Sequence, residues 1–253
     1  MLLKKLALEL YSVREDAARD MEDTLTKVAQ MGYTGVEFGG YHGMEPRKVA
    51  SIMKRLGLDI IGNHVKYNLL ISEPEKHIRD MVELGGRYLV GTGAMGGANA
   101  QDLCGHMLDV AEKLSAVAEK CKEYGIKLAY HNWLPEMTQL NNEYLLDIMY
   151  AHASELVLAE PDIVWVAIGG ADPAEFVKKL GKRCTLVHLR QRKPLEVGGG
   201  ADIDADKGIL DFSSVIKAGM EGNVTDFIYE QELEPSGNAM ESVKVSCKYI
   251  LSL

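Results

Sequence analysis

The sequence predicts an α/β protein built as a single (β/α)8 barrel, and three observations support this prediction. Short apolar segments typical of buried parallel strands alternate with longer segments of helical periodicity. The eight strand-like segments start at intervals of roughly 25–40 residues, as repeated strand–loop–helix units do. The 253 residues suffice for eight such units. We therefore expect one domain over residues 1–253, and an open, doubly wound parallel sheet is the competing interpretation.

Each predicted strand is a short apolar run bounded by polar or glycine-containing segments. The runs are Leu6–Tyr11, Gly35–Phe38, Leu58–His64, Arg87–Gly91, Ile126–His131, Leu156–Glu160, Cys184–Leu189 and Thr225–Glu230. The first run overlaps the segment Met1–Leu10, in which Glu9 interrupts the apolar stretch. We interpret that segment as a first strand rather than as a secretory signal.

The predicted helices carry apolar residues at steps of three and four and have recognisable first and last residues. Asp172-Pro173 joins an N-cap to a first-turn proline, and one helix stops at Gly32. The individual helices are Asp16–Met31, Glu45–Leu56, Asn99–Tyr124, Asp172–Leu180, Asp211–Gly219 and Asn238–Leu251. Their alternation with the strands predicts helices outside a parallel sheet.

Composition and charge narrow the classes of function. The formal net charge of −9 argues against a nucleic-acid groove, which requires a basic surface. No run approaches the roughly 18 apolar residues of a membrane span. The four cysteines are widely spaced, as expected of reduced thiols in a cytoplasmic protein. The apolar face Leu103–Leu114 fits either the core or a homo-oligomer contact.

Polar residues follow most of the predicted strands, where the active site of a (β/α)8 barrel lies. They are Glu37, His64, His131 with Asn132, Trp133 and Glu136, Glu160 with Asp162 and Trp165, His188 with Arg190 and Gln191, and Glu230 with Glu232. Carboxylates and imidazoles from successive strands would converge on one mouth. Oxygen and nitrogen ligands without thiolate suit Mn²⁺, Mg²⁺, Co²⁺ or Zn²⁺.

Six segments also form a set of motifs along the whole chain. They are Leu10-Tyr11-Ser12-Val13-Arg14, Met31–Phe38, Tyr130-His131-Asn132 followed by Glu136, Asp162-Ile163-Val164-Trp165, Val187-His188-Leu189-Arg190 and Glu230-Gln231-Glu232. Together they resemble the motifs of the xylose isomerase-like sugar phosphate isomerase/epimerase TIM barrels. That group also contains inosose dehydratase-like proteins and ketose 3-epimerases.

The resemblance implies one divalent metal ion, with Mn²⁺ preferred, and four side chains that hold it. Asp162, His188 and Glu230 match the ligands of the sixth, seventh and eighth strands. Glu136 is the nearest match to the fifth-strand Glu, and His131 is the substitute if Glu136 points away.

The implied activity is isomerisation or epimerisation of a sugar, sugar phosphate or cyclitol through an enediolate. Glu136 and Glu230 are expected to transfer the proton, with His64 or His131 holding a hydroxyl group. Contacts to the substrate are expected from Glu37, Asn132, Trp133, Trp165 and Arg190. Elimination from the same intermediate, as in a keto-sugar dehydratase or a glycoside-cleaving lyase, is the alternative.

Three further interpretations stay open at this point. Trp133, Trp165 and Gln191 replace polar residues of the motifs, which also fits a non-catalytic or partner-dependent barrel. Gly91–Gly96 spells a dinucleotide-binding fingerprint, but after the fourth strand, so a dehydrogenase is disfavoured. Asp202–Gly208 imitates a calcium loop with its glycine one place late, so an EF-hand is not expected. Together with Gly198–Gly200, it is interpreted either as a flexible, solvated loop or as a loop that closes over a ligand.

Overall fold

An eight-stranded parallel sheet forms the centre of the structure, a computed structural model that describes residues 3–232 and 237–253. The strands of the described chain are β1 (Ala7–Glu9), β2 (Gly35–Phe38), β3 (Asp59–Lys66), β4 (Tyr88–Thr92), β5 (Lys127–His131), β6 (Gln139–Leu140), β7 (Glu143–Tyr144), β8 (Val157–Glu160), β9 (Leu186–Leu189), β10 (Arg192–Lys193), β11 (Ala201–Asp202) and β12 (Asp226–Tyr229). The pairs β6–β7 and β10–β11 form separate antiparallel hairpins outside the central sheet.

The central sheet curls into a nearly closed barrel. Its order is β8-β5-β4-β3-β2-β1-β12-β9, and β1 pairs in parallel with both β2 and β12. The two edge strands β8 and β9 are brought together by isolated bridges between Ala159 and Cys184 and between Asp162 and His188. The (β/α)8 prediction is therefore confirmed, and the open doubly wound sheet is not observed.

Helices connect the strands, as the alternation predicted. They are α1 (Arg14–Arg19), α2 (Met21–Met31), α3 (Pro46–Leu56), α4 (Tyr67–Ser72), α5 (Pro74–Leu84), α6 (Leu103–Glu123), α7 (Leu145–His152), α8 (Ile163–Ile168), α9 (Pro173–Leu180), α10 (Phe212–Glu221) and α11 (Ala239–Leu251). Within residues 3–232 and 237–253, none of them combines the length and the apolar character needed to span a bilayer.

The core has two parts, which correspond to the two surfaces of the barrel wall. The larger part contains residues of the helices and of the strands that they cover. The smaller part is drawn almost entirely from the strands: Ala7, Ile61, Tyr88, Val90, Ala129, Leu186 and Ile228. Side chains of neighbouring strands therefore fill the barrel below the mouth, and the polar groups collect above them.

The predicted strands agree with the observed ones to within about two residues at each end, but one predicted helix is divided. Asp20 has extended backbone angles, φ −154° and ψ 97°, and its side chain accepts a hydrogen bond from the Asp23 N–H. It thus caps α2 and separates it from α1. The short helices α4, α5, α7 and α8 were not predicted individually.

Candidate active site

Buried polar side chains crowd the end of the barrel at which the strands terminate. Seven of the eight positions are less than 9% exposed, and His64 is the partly exposed one. They are Glu9 at the end of β1, Glu37 in β2, His64 in β3, His131 at the end of β5, Glu160 and Asp162 at and after the end of β8, His188 in β9, and Glu230 directly after β12. The parallel direction of the strands brings all of them to one mouth.

Four of these residues form what we call the candidate ligand group: His131, Asp162, His188 and Glu230. His188 Nδ1 lies 2.9 Å from Glu230 Oε2. His131 Nε2 lies 3.9 Å from the same Glu230 oxygen and 4.0 Å from Asp162 Oδ2. The structure thus brings together three of the four residues predicted to hold a metal, and His131 instead of Glu136.

The two carboxylate oxygens of Asp162 have different surroundings: one binds backbone N–H groups, and the other faces Arg190 and His131. Its Oδ1 accepts a hydrogen bond of 2.8 Å from the Val164 N–H, which caps the start of α8. Its Oδ2 lies 3.0 Å from Arg190 Nη1 and faces His131. Burial raises the pKa of Asp162 to about 6, although Arg190 opposes this shift.

His188 links the candidate ligand group to a second set of carboxylates. Its Nε2 lies 2.8 Å from Glu37 Oε2 and 3.6 Å from a Glu160 oxygen. His64 Nε2 bridges the same two residues, at 3.2 Å and 3.0 Å. Burial opposes protonation of His188, but the surrounding carboxylates, Glu160 first, raise its pKa well above the ordinary value. Its imidazole is therefore held between acids on both sides.

His131 has the opposite character. Burial and the neighbouring imidazoles of His188 and His64 lower its pKa well below the ordinary value. Its Nε2 is buried and has no hydrogen-bond partner among the described residues. A neutral imidazole with a free nitrogen is the form that ligates a metal.

The candidate ligand group fits a divalent cation. Two carboxylates and two imidazoles are a donor set for Mn²⁺, Mg²⁺, Co²⁺ or Zn²⁺. Ligand atoms about 2.1 Å from one ion lie roughly 3–4 Å apart, and the three separations given above, of 2.9, 3.9 and 4.0 Å, fall close to this range. His131, His188 and Glu230 offer ligand atoms within 4.8 Å of one another. The unpartnered His131 nitrogen is the atom that such an ion would satisfy.

Glu136 lies apart from this group in the described structure. Its Oε1 accepts a hydrogen bond of 2.6 Å from the Tyr130 hydroxyl, and its Oε2 accepts one of 3.1 Å from the Trp133 N–H. Burial raises its pKa. Both oxygens are thus occupied in shaping the loop after β5.

Arg190 is fully buried and engaged by acids on three sides. Its Nε lies 2.8 Å from Asp202 Oδ2, and its Nη2 lies 3.0 Å from Glu232 Oε2, in addition to the Asp162 contact. Asp202 also accepts a hydrogen bond of 3.2 Å from Arg192 Nη1. Asp202, the first residue of the acidic segment that resembles a calcium loop, therefore connects β11 to Arg190 and Arg192.

A cavity of about 690 Å³ opens above the polar cluster. Among the predicted site residues it is lined by His64, His131, Trp133, Trp165 and Glu230. Glu37 and Asn132 do not line it: Glu37 contacts the two histidines, and Asn132 Oδ1 accepts a hydrogen bond of 3.3 Å from the Asp162 N–H. Arg192, not Arg190, reaches the cavity wall.

Sequence reasoning gave no role to Glu9 and Asp202, and it named Glu160 without assigning one. The sequence did mark Glu9, because it is a charged residue at the end of an apolar strand. That observation served only to argue against a secretory signal peptide. Glu9 lines the cavity, its Oε2 is buried without a partner in the described residues, and burial raises its pKa to about 8. Asp202 stood out only as part of the acidic run that imitates a calcium loop, and nothing in that pattern pairs it with Arg190 and Arg192.

Comparison with known proteins places this barrel in a family. A family model described as xylose isomerase-like TIM barrel matches residues 25–245. The chain belongs to the xylose isomerase-like TIM barrel family. The resemblance inferred from the six motifs is confirmed, and the family includes isomerases and epimerases.

Individual members of the family are distant in sequence. The rhizopine catabolism protein MocC of Rhizobium meliloti is 23% identical over 217 residues, which cover 79% of this chain and 65% of that protein, less than two thirds of its length. A sugar phosphate isomerase/epimerase from Parabacteroides distasonis superposes with a TM-score of 0.83 at 22% identity over 99% of both chains. The IOLI protein, with a bound zinc atom, superposes with a TM-score of 0.77 at 15% identity over 98% of both. These structural likenesses establish the fold.

Proposed function

We propose that this xylose isomerase-like barrel is a divalent-metal-dependent isomerase or epimerase of a keto-sugar or cyclitol. One observation carries the proposal: ligand atoms of His131, His188 and Glu230 lie within 4.8 Å of one another, Asp162 lies 4.0 Å from His131, and His131 and Glu230 line a cavity of about 690 Å³ at the strand ends. The zinc-binding IOLI protein, similar in fold, lends further support.

The proposed ligands are His131, Asp162, His188 and Glu230, so His131 takes the place first expected for Glu136. His188 would offer Nδ1 to the ion while its Nε2–H donates to Glu37, an arrangement that orients a metal-bound imidazole. A bound Mn²⁺, Mg²⁺, Co²⁺ or Zn²⁺ would act as a Lewis acid toward the negative charge that develops on the substrate oxygens.

Proton transfer is assigned to carboxylates that reach the cavity. Glu230 keeps the role expected from the sequence, and Glu9 replaces Glu136 as its partner, because Glu9 has a free oxygen at the cavity wall whereas both Glu136 oxygens accept hydrogen bonds. His64, which also lines the cavity, would hold a substrate hydroxyl. Removing a proton beside the carbonyl and returning it to the same carbon is epimerisation; returning it to the neighbouring carbon is isomerisation.

The first prediction separates the two candidates for the fifth-strand ligand. Purified protein loaded with Mn²⁺ is expected to bind about one ion per chain, measured by equilibrium dialysis and elemental analysis. His131→Ala should weaken binding by roughly 10- to 100-fold or more, since a direct ligand is lost. Glu136→Gln is the matched control and should bind Mn²⁺ within about threefold of the parent.

Turnover is then tested on D-fructose, L-ribulose and 2-keto-myo-inositol, with products separated by chromatography. Loss of activity on metal removal and its return with Mn²⁺ are expected. Release of water or of a glycosidic group would assign the elimination chemistry instead. Full turnover by the chelated protein, or strong Mn²⁺ binding by His131→Ala with loss in Glu136→Gln, would contradict the proposal.

A further inference from the structure

The cavity is larger than the sugar that the proposed chemistry requires. Its volume of about 690 Å³ lies within the range of roughly 300–1,000 Å³ that is usual for pockets of drug-sized ligands. A hexose or cyclitol, with about a dozen non-hydrogen atoms, is smaller than those ligands. When such a ring lies over the candidate ligand group, part of the cavity is left for something else.

We propose that this remaining part is a second subsite, and that the substrate is a glycoside whose second ring lies in it. The subsite consists of the rim residues Tyr11, Trp133, Leu134, Pro135 and Trp165. This proposal rests on the proposed function, which places the reacting sugar over the candidate ligand group. The new element is a second ring, attached to that sugar.

The lining of the cavity contains two chemically different sets of residues. Glu9, His64, His131 and Glu230 belong to the polar cluster at the strand ends, whereas the five rim residues are aromatic or aliphatic. Trp133 is 44% exposed and Tyr11 is 45% exposed. Large aromatic side chains usually bury most of their surface, and exposed apolar surface lining a concavity marks a binding region. Their faces suit the apolar face of a sugar or aromatic ring.

Trp133 is held in place although its ring is exposed. Its backbone N–H donates to the buried Glu136 carboxylate, which also accepts the Tyr130 hydroxyl hydrogen bond. Two carbons of the indole ring lie close to Gly93, where an added Cβ would be 3.8 Å from them. The ring therefore rests on the loop after β4 and loses little freedom when a ligand stacks on it.

The cavity lining also supplies polar groups for the edge of the second ring. Arg192 in β10 and Glu196 and Gly199 in the turn between β10 and β11 line the cavity. The Arg192 guanidinium lies 5.5 Å from the Trp165 ring centroid and donates hydrogen bonds to the carbonyl groups of Gly199 and Gly200. A ring with an apolar face and hydroxyl groups at its edge is complementary to this combination of aromatic and polar residues.

The chain contains only two tryptophans, and both line the cavity, so tryptophan fluorescence reports on the subsite directly. The Mn²⁺-loaded protein is titrated with D-glucose, methyl β-D-glucoside, phenyl β-D-glucoside and cellobiose. We expect the last two to bind roughly three- to tenfold more tightly than the first two, since ring stacking contributes to binding. Tighter binding of cellobiose assigns a second sugar ring, and tighter binding of the phenyl glucoside assigns an aromatic group.

Trp133→Ala should lower the affinity for phenyl β-D-glucoside and cellobiose more than the affinity for D-glucose, so that the preference disappears, with Trp165 still reporting. Tyr124→Ala is the matched control, because Tyr124 is a 54% exposed aromatic residue at the end of α6 and does not line the cavity. Equal affinity for all four ligands, or an unchanged preference in Trp133→Ala, overturns the inference. Because Mn²⁺ content is measured separately and binding is measured without turnover, failure of this preference is distinguishable from failure of the metal and activity tests above.

Discussion

His188 shows how a single residue can join two functions of a site. One ring nitrogen faces Glu230 in the candidate ligand group, and the other faces Glu37. The sequence motif identified His188 as a ligand, but it gave no reason to pair it with a strand more than 150 positions away. The carboxylate behind the ring fixes its orientation, which a ligand requires before an ion arrives.

Asp202 is the carboxylate that Arg190 and Arg192 share. It accepts hydrogen bonds from Arg190 and Arg192 and one of 2.6 Å from the Glu232 N–H. Asp202→Asn keeps the volume but removes the negative charge beside the fully buried Arg190. We expect the free energy of unfolding to fall by about 2–4 kcal/mol, because a buried guanidinium loses one of its counter-charges. Urea unfolding measures the change.

Asp109→Asn is the matched control for that prediction. Asp109 forms an exposed ion pair of 2.7 Å with Lys113 on α6, a type of pair that contributes little. Its substitution should alter the free energy of unfolding by less than about 0.5 kcal/mol. An Asp202 variant as stable as the Asp109 variant would show that Asp162 and Glu232 suffice for Arg190.

At the scale of elements, the barrel strands approach one another closely where the polar cluster begins. Gly62 in β3 lies beside Glu37 of β2 and Tyr88 of β4. A Cβ added to Gly62 would lie 2.6 Å from Glu37 Oε1 and 2.9 Å from the Tyr88 carbonyl oxygen. The glycine is therefore needed for strand packing rather than for backbone conformation.

Gly62→Ala should lower the free energy of unfolding by about 1–3 kcal/mol, since the Tyr88 backbone can move only with its strand. Gly96→Ala provides the comparison, because the nearest atom to its added Cβ, the Gly93 carbonyl oxygen, is 3.4 Å away. Denaturant unfolding should show the second variant within about 0.5 kcal/mol of the parent. Equal stability of the two variants would mean that β3 relaxes away from β2 and β4.

The sequence left two interpretations for the segment of the β10–β11 hairpin, a flexible solvated loop or a glycine-rich loop that closes over a ligand. In the structure its turn lines the cavity, and Arg192 fastens it to the backbone of Gly199 and Gly200. Asp202 in β11 connects the same hairpin to Arg190 below the mouth. Hydrogen bonds of two charged residues therefore hold the hairpin: Arg192 binds the turn, and Asp202 binds Arg190.

At the scale of the whole molecule, the proposed metal should stabilise the folded chain. Only the folded barrel brings His131, Asp162, His188 and Glu230 together, so the ion binds the native state in preference to the unfolded state. Mn²⁺ at 100 times its Kd should add about 2.7 kcal/mol, which raises the Tm of a chain of this size by roughly 5–10 °C. Differential scanning calorimetry with and without a chelator measures the shift.

His188→Ala should unfold at the same temperature with and without Mn²⁺, because it lacks a ligand. Lys113→Ala, a change on the exposed face of α6, should keep the full shift. A shift of equal size in His188→Ala would place the stabilising Mn²⁺ at another part of the molecule.

The sequence by itself determined the architecture and the location of the site. Buried parallel strands require continuous apolar runs, and polar residues interrupt these runs only where the strands leave the core, so segments such as Gly35–Phe38 and residues such as His188 are visible in a single chain. The family motifs added the prediction that Asp162, His188 and Glu230 hold a metal ion together. His188 Nδ1 and Glu230 Oε2 lie 2.9 Å apart, and the shared metal-binding role stays a prediction.

Only the tertiary structure decided which polar groups face one another. Glu136 and His131 are five residues apart, yet one turns to Tyr130 and the loop backbone and the other to the candidate ligand group. Nothing in the sequence says whether Arg190 or Arg192 reaches the cavity. In the structure Arg190 is fully buried, and Arg192 lines the cavity. The direction of a side chain depends on the register of distant strands and on which buried charges must be neutralised. These are properties of the closed barrel, and no local segment of the sequence contains them.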